Sequence, residues 1–475
     1  MSRITKGRLR IVTDSRVYIF PAPGSPADKQ NPVPELTAEF RVVNPTFWIR
    51  LCMMSDLGFA EAYMYGDAEC NDLISLFKLF MYNKESISNL TSTASYLLSI
   101  PSRLTTSYRF LNTVTNSRSN ISAHYDISND MFEGFLSEDL TYSCAIFSEL
   151  DADLKSSPDV KLEDGFWSAS GKTYDPIPQF DDTAGSIRSS PTSSPPEYIF
   201  DDLTTAQMRK IRHIISKAQI KPGHRVLEIG SGWGTMAITI ARTVPGTQID
   251  SLTLSVAQRD LAMERITKAG MEDRIRIHLM DYRSMPESWK GTFDRLVSVE
   301  MMEAVGREYM DTFWKEMNWA MKPQSAVGVV QCITLPEARF DAYCNNIDFI
   351  QKWVLFPGSF IPSLSFIVNS MSVGARSQLT VDSISNIGPH YARTLREWRN
   401  SFLDKFETVI EPALRKEYPD LMTGEDGRYE IEVFKRKWIY YYCYCEAGFA
   451  LRSLGDHIIT FTRDGSEDYG CNVYE

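Results

Sequence analysis

The chain has 475 residues, 43% of them hydrophobic, with 50 Lys or Arg against 61 Asp or Glu and a formal net charge of -11. That length can bury the cores of two or three domains, while the acidic balance argues against sequence-independent nucleic-acid binding, which phosphate neutralisation drives. Eight cysteines are scattered with no C-x-x-C pair and no Cys/His cluster, so a reduced cytoplasmic protein is expected, with neither a disulfide framework nor a metal site.

The first ten residues carry Arg3, Lys6, Arg8 and Arg10, but no apolar stretch long enough for a signal peptide follows, so no export is expected. Strand-like pieces come next (Gly7 to Ile11, Val17 to Phe20, Phe40 to Val43), separated by the Pro/Gly-rich run Pro21 to Pro34. Leu73, Leu76, Phe77 and Phe80 then recur at i, i+3, i+4 and i+7, the stripe of an amphipathic helix. A smaller α/β or α+β module over residues 1–118 is expected, joined to the remainder by the Ser/Thr/Asn-rich Ser102 to Ser122. Ser156 to Tyr198 is rich in Ser and Pro and cannot bury enough apolar surface to offset chain ordering, so residues 156–198 read as a low-complexity insertion.

From Asp201 the pattern becomes alternating strand and helix. Met208, Ile211, Ile214, Ile215 and Ala218 form one helix face, and strands are expected at Val226 to Ile229, Ile249 to Leu254, Arg274 to Leu279, Phe293 to Val299 and Ala326 to Ile333. This alternation implies an α/β, Rossmann-like doubly wound domain within residues 119–475, with ligands at the carboxyl ends of its strands. Ile347 to Val368 is apolar but contains Asp348, Lys352, Pro357 and Pro362, which excludes an uninterrupted spanning helix of about 20 residues. It reads either as the lining of an acyl entrance or as plain cap core, and membrane contact is expected to be peripheral.

Arg225-Val-Leu-Glu-Ile-Gly-Ser-Gly-Trp-Gly234 is an apolar strand that breaks into three alternating glycines and enters a helix at Thr235. A dinucleotide fingerprint reads G-x-G-x-x-G; here Glu228 precedes Gly230, Gly232 and Gly234, a pattern suited to a cationic, phosphate-free ligand such as S-adenosylmethionine. Thr253, Leu254, Ser255 and Gln258 end the second strand where hydroxyls and an amide would meet ribose or methionine groups, simple N-capping by Ser255 being the alternative. Asp281 and Tyr282 follow the third strand; Asp281 reads either as an acceptor for an adenine amino group or as part of a surface turn. The fourth strand delivers Glu300-Met-Met-Glu-Ala-Val-Gly306 to the same edge.

The chain resembles the cyclopropane-fatty-acyl-phospholipid synthase and mycolic acid cyclopropane synthase family of S-adenosylmethionine-dependent methyltransferases. The motifs that carry the resemblance occur in order: His124-Tyr-Asp-x-x-Asn129, Tyr142-Ser-Cys-Ala145, Val226 to Gly234, Thr253-Leu-Ser255 with Gln258, Phe293 to Glu303, Phe356 to Ser363 and Tyr444 to Phe449. Asp56 to Gly66 is similar to the N-terminal module of the full-length synthases, for which lipid docking or dimerisation is implied.

The resemblance implies methyl transfer to the cis double bond of an unsaturated phospholipid acyl chain, then closure of a cyclopropane through a carbocation. It places Tyr142 and Ser143 beside the cofactor and Tyr441 at the cation, which an aromatic face stabilises. It also implies a bound bicarbonate ion as proton acceptor, held by Cys144 through its backbone, Glu303, Gln331, Ile333 through its backbone, and Tyr441. Two positions depart from the family pattern: Ala304 stands where a histidine is usual, and Gln331 where the bacterial enzymes have a histidine. An amide donates a hydrogen bond but carries no charge, so methyl-branched or methylene products stay open beside the cyclopropane. Other readings are an amine N-methyltransferase and a non-catalytic lipid-binding protein; the intact cofactor glycines weigh against the second.

Overall fold

The computed structural model describes residues 3–30, 36–88, 128–155, 202–354, 359–466 and 469. The 156–198 insertion, the Ser102 to Ser122 segment, His124 to Asp126 and Phe356 lie outside the described residues.

Four strands near the N-terminus form one sheet: β1 (Arg8–Val12), β2 (Val17–Phe20), β3 (Thr37–Val42) and β4 (Ala68–Glu69), in the order β2-β1-β3-β4. β1 runs parallel to β3 and antiparallel to β2. Alternation in β3 buries Ala38, Phe40 and Val42 and exposes the residues between them, the period-2 signature of a sheet covered on one face. The cover includes helices Thr46–Met64 and Leu73–Tyr82; the Asp72 side chain caps the latter at the Ser75 amide. The module is α+β, as the sequence allowed.

The larger sheet has seven strands in the order β10-β11-β9-β8-β5-β6-β7. β5 (Arg225–Ile229), β6 (Gln248–Thr253), β7 (Ile275–Leu279), β8 (Arg295–Val299) and β9 (Val327–Thr334) are parallel and match the five expected strands. β5 and β8 are almost wholly buried, as strands covered on both faces must be. The chain runs from β5 outward to β6 and β7, then returns to β8 on the other side of β5, so the switch point falls where β5 and β8 end. Two further strands extend that edge, β11 (Gly455–Arg463) antiparallel to β9 and β10 (Leu379–Asn386) antiparallel to β11, which makes the sheet mixed.

Helices Gly388–Asp404 and Gly424–Ala450 pack on each other between the two sheets. Tyr440 of the longer helix meets Phe59, Tyr63 and Phe77 of the N-terminal module, at centroid separations of 6.5, 5.9 and 5.1 Å. Lys352 forms an ion pair with buried Glu61 across the same seam. Among the described residues of Ile347 to Val368, Phe349 packs on Tyr440 at 4.5 Å, Trp353 is 1% exposed, and Phe360 packs on Phe340 and Phe366. No helix among the described residues is long and apolar enough to cross a membrane.

Candidate active site

β5 ends in the glycine turn. Gly230, Gly232 and Gly234 have φ of 96°, 50° and 85°, and Gly234 is the N-cap of helix Thr235–Thr243. The left-handed backbone explains why a residue without Cβ stands at these positions. A Cβ on Gly232 would meet nothing within 4 Å, whereas one on Gly230 would lie 3.1 Å from the Cβ of Met301. The turn is therefore open on one side and packed on the other against the segment between Glu300 and Glu303.

Glu228 does not face open space. It accepts from Ser251 Oγ at 2.5 Å, and that hydroxyl lies 2.8 Å from Ser231 Oγ inside the glycine turn. Burial pushes its carboxyl up to about 8, so it braces the turn from beneath, largely protonated at neutral pH. Thr253 Oγ1 meets Gln258 Oε1 at 2.9 Å, and Ser255 caps the Gln258 amide at the start of helix Val256–Ala269. Leu254 is 72% exposed at the rim. Asp281 is bound to its neighbour: Arg283 donates to it through Nε at 2.8 Å and Nη2 at 2.6 Å, and this pairing holds the carboxyl below its ordinary value. Tyr282 packs its ring on Phe313.

Several orphaned polar atoms fit the missing cofactor. Both carboxylate oxygens of Asp139 and the hydroxyls of Ser137 and Thr141 are buried without a hydrogen-bond partner among the described residues. The Asp139 carbonyl accepts from Thr235 Oγ1, in the first turn of the glycine-capped helix. Buried polar groups left unpaired are costly; the Asp139 carboxylate, near Lys210 and Arg265 but without a hydrogen-bond donor among the described residues, would accept from the ammonium of a bound cofactor. The residues present thus fit S-adenosylmethionine, and Asp139 joins the expected set.

Beyond Met301 lies a second cluster. β8 terminates at Glu300, whose φ of 46° is a conformation that favours glycine; a non-glycine residue held there costs about 1–3 kcal/mol. Its Oε1 accepts from the Cys144 amide and from Gln331 Nε2, both at 2.8 Å, and its Oε2 accepts from the Tyr391 hydroxyl at 2.6 Å. Gln331 Nε2 also donates to Asp456 Oδ2 at 2.8 Å. The Ile333 amide donates to Glu303 Oε1 at 2.6 Å, while Glu303 Oε2 has no partner among the described residues. Lys210, fully buried, reaches Ser143 Oγ at 2.5 Å and adds positive potential near Glu300, Asp139 and Asp456. Tyr441 OH lies 3.2 Å from Tyr142 OH, and the Tyr142 ring stacks on Trp398 at 5.1 Å.

Three carboxyls so close cannot all ionise in a dry interior. Burial, reinforced by the charge of Glu300, pushes Glu303 up to about 8. Burial raises Asp456 well above its ordinary value, again reinforced by Glu300. Burial also raises Glu300, but the Cys144 amide, Tyr391 and Lys210 oppose it. Of the three, Glu300 accepts from the most donors, the Cys144 amide, Gln331 and Tyr391, each of which favours its charged form.

The structure brings Cys144, Glu303, Gln331, Ile333 and Tyr441 to the carboxyl ends of β8 and β9 and the flanking helix. They do not fit a bicarbonate ion. The Cys144 amide and Gln331 are engaged by Glu300, and the Ile333 amide by Glu303. Sequence reasoning weighed Glu303 and passed over Glu300 in the same motif. Lys210 had a signal, a cation between Gln207 and Ile214 on the buried face of helix Leu203–Lys217; Tyr391 and Asp456 had none.

Residues 112–166 and 198–455 match the model of the mycolic acid cyclopropane synthetase family. The tuberculostearic acid methyltransferase of Mycobacterium tuberculosis is 31% identical over 86% of this chain and 79% of its own length. The cyclopropane-fatty-acyl-phospholipid synthase of Escherichia coli is 27% identical over 90% of this chain and 88% of its own. Among solved structures, a mycolic acid cyclopropane synthase complexed with SAH and CTAB superposes with a TM-score of 0.50 at 21% identity, over 73% of this chain and 98% of that one. Coclaurine N-methyltransferase superposes with a TM-score of 0.53 at 16% identity, over 85% of this chain and 98% of that one, a likeness of fold. With the glycine turn, the orphaned Asp139 and the carboxylate cluster in place, the chain belongs to the mycolic acid cyclopropane synthetase family of S-adenosylmethionine-dependent methyltransferases.

Proposed function

We propose that the chain transfers the methyl group of S-adenosylmethionine to the cis double bond of an unsaturated phospholipid acyl chain and closes a cyclopropane ring. The observation that carries this reading is the contact between Gly230 and Met301: the methyl-donor turn and the carboxylate cluster share one wall. When bound, the cofactor supplies an electrophilic methyl on a sulfonium. An isolated alkene is a weak nucleophile, so the protein must hold it in line and dry; buried Tyr441 and the rings of Trp438 and Tyr442 around it supply faces for the resulting cation. No step of this reading runs through a bicarbonate ion, whose expected donors are engaged by Glu300 and Glu303.

A lipid acceptor calls for a route from the bilayer. Trp48, Ile49 and Met53 on helix Thr46–Met64 stand 38%, 61% and 64% exposed, and this reading assigns them to peripheral membrane docking by residues 1–118, with residues 119–475 catalytic. A second reading, a methyl-branched acyl chain, is favoured by the 31% identity to the tuberculostearic acid methyltransferase. Mass spectrometry of lipids from a heterologous host expressing the chain, with Glu303→Gln alongside, separates the two. Acyl chains heavier by one CH2 that carry a ring, lost in the variant, support the proposal; the same mass with a carbon–carbon double bond in place of the ring assigns a methylene or methyl-branched alkene product.

A further inference from the structure

We propose that Glu300 is the proton acceptor of this enzyme, its carboxylate occupying the seat that the family resemblance assigns to a bicarbonate ion. This rests on the lipid reading above. Two donors expected to grip that anion, the Cys144 amide and the Gln331 side chain, both reach Glu300 Oε1 at 2.8 Å. A third donor, Tyr391, fixes Oε2 at 2.6 Å.

The backbone gives independent support. Glu300 is held at φ 46° where glycine is favoured, and strain of this kind persists where surrounding structure overrides it, typically at functional sites. The neighbouring acids are unsuited to the task. Asp456 and Glu303 each accept from a single donor and are raised by burial and by the charge of Glu300, whereas Glu300 accepts from three donors that hold a charged carboxylate. A base is most effective when its affinity for protons is near the working pH, and burial moves Glu300 upward in that direction.

The step balances as follows. The alkene π pair forms the new bond to the methyl carbon while the carbon–sulfur bond breaks, its pair remaining on sulfur as a neutral thioether. The vacant alkene carbon is then a cation. A C–H bond of the added methyl gives its pair to that carbon, closing the ring, and the proton passes to Glu300, which becomes neutral and later returns it to water.

The test uses the full-length protein with labelled S-adenosylmethionine and vesicles of dioleoyl phosphatidylcholine and phosphatidylethanolamine. Cyclopropane product is measured with bicarbonate stripped from the buffer and with sodium bicarbonate added. Wild type is expected to change less than about twofold between the two conditions. Glu300→Gln, which keeps the shape of the side chain, is expected to lose roughly a hundredfold or more of rate while still binding S-adenosylmethionine by calorimetry. Glu300→Gly, which empties the seat, is expected to regain about tenfold or more on adding bicarbonate. A wild type that loses about tenfold on stripping and recovers with bicarbonate overturns the inference, as does Glu300→Gln within about threefold of wild type. A wild type that labels no lipid in either buffer overturns the lipid reading itself.

Discussion

The Tyr391 hydroxyl donates to Glu300 Oε2 at 2.6 Å, while its ring stacks on Phe449 at 4.5 Å. One side chain thus joins the end of β8 to helices Gly388–Asp404 and Gly424–Ala450. A hydrogen bond to a charged group is worth about 1.5–3 kcal/mol. Tyr391→Phe keeps the stack and removes the bond, so kcat is expected to fall roughly tenfold to a hundredfold, with the KM for cofactor unchanged. Steady-state kinetics check this; an unchanged kcat would show that Tyr391 only packs.

Glu228 gives the fold a dependence on pH. Burial raises its carboxyl from the ordinary 4.5 to about 8, so the native chain binds a proton that the unfolded chain releases. The stability this contributes is fully present below about pH 4.5 and is lost as pH rises through about 8, a loss on the order of a few kcal/mol. Glu303, raised for the same reason to about 8, adds a second increment. Glu228→Gln keeps an acceptor for Ser251 and cannot ionise. Its thermal midpoint is expected to decline less steeply than that of wild type between about pH 5 and 9; parallel declines would assign the titration elsewhere.

Tyr440→Ala is expected to loosen the N-terminal module. The ring fills a pocket of Phe59, Tyr63, Phe77 and Phe349 and is 3% exposed. Emptying such a site costs about 3–5 kcal/mol. Differential scanning calorimetry should show a lower midpoint, and limited proteolysis should cut residues 1–118 away sooner than in wild type. Equal cleavage rates would place the seam's strength in the Lys352–Glu61 pair.

The cofactor half of the site was legible because its determinants are local. The apolar run Val226 to Ile229, the alternate glycines and the cap at Ser255 lie within about one β-α-β span, and all resolve as expected. The carboxylate cluster was less legible, since its members arrive from four places: Cys144 between helices Asn129–Phe135 and Leu203–Lys217, Gln331 on β9, Tyr391 beyond β10 and Asp456 on β11. The strands β10 and β11 escaped notice for a related reason. Leu379–Asn386 buries only Leu379, leaves Val381, Ser383 and Ser385 half-buried and carries Asp382 and Asn386, while Gly455–Arg463 buries Asp456, Thr460 and Thr462 despite their polarity. Edge pairing, not hydrophobic patterning, makes these segments strands.

Tyr440 and Tyr441 are consecutive on one helix, and the roughly 100° turn between neighbours sends one ring into the N-terminal module and the other to Tyr142. The helix works as an axle with the module on one spoke and the reaction chamber on the next. Any rotation of this helix therefore changes two contacts at once, that of Tyr440 with Phe59, Tyr63 and Phe77 and that of Tyr441 with the Tyr142 hydroxyl.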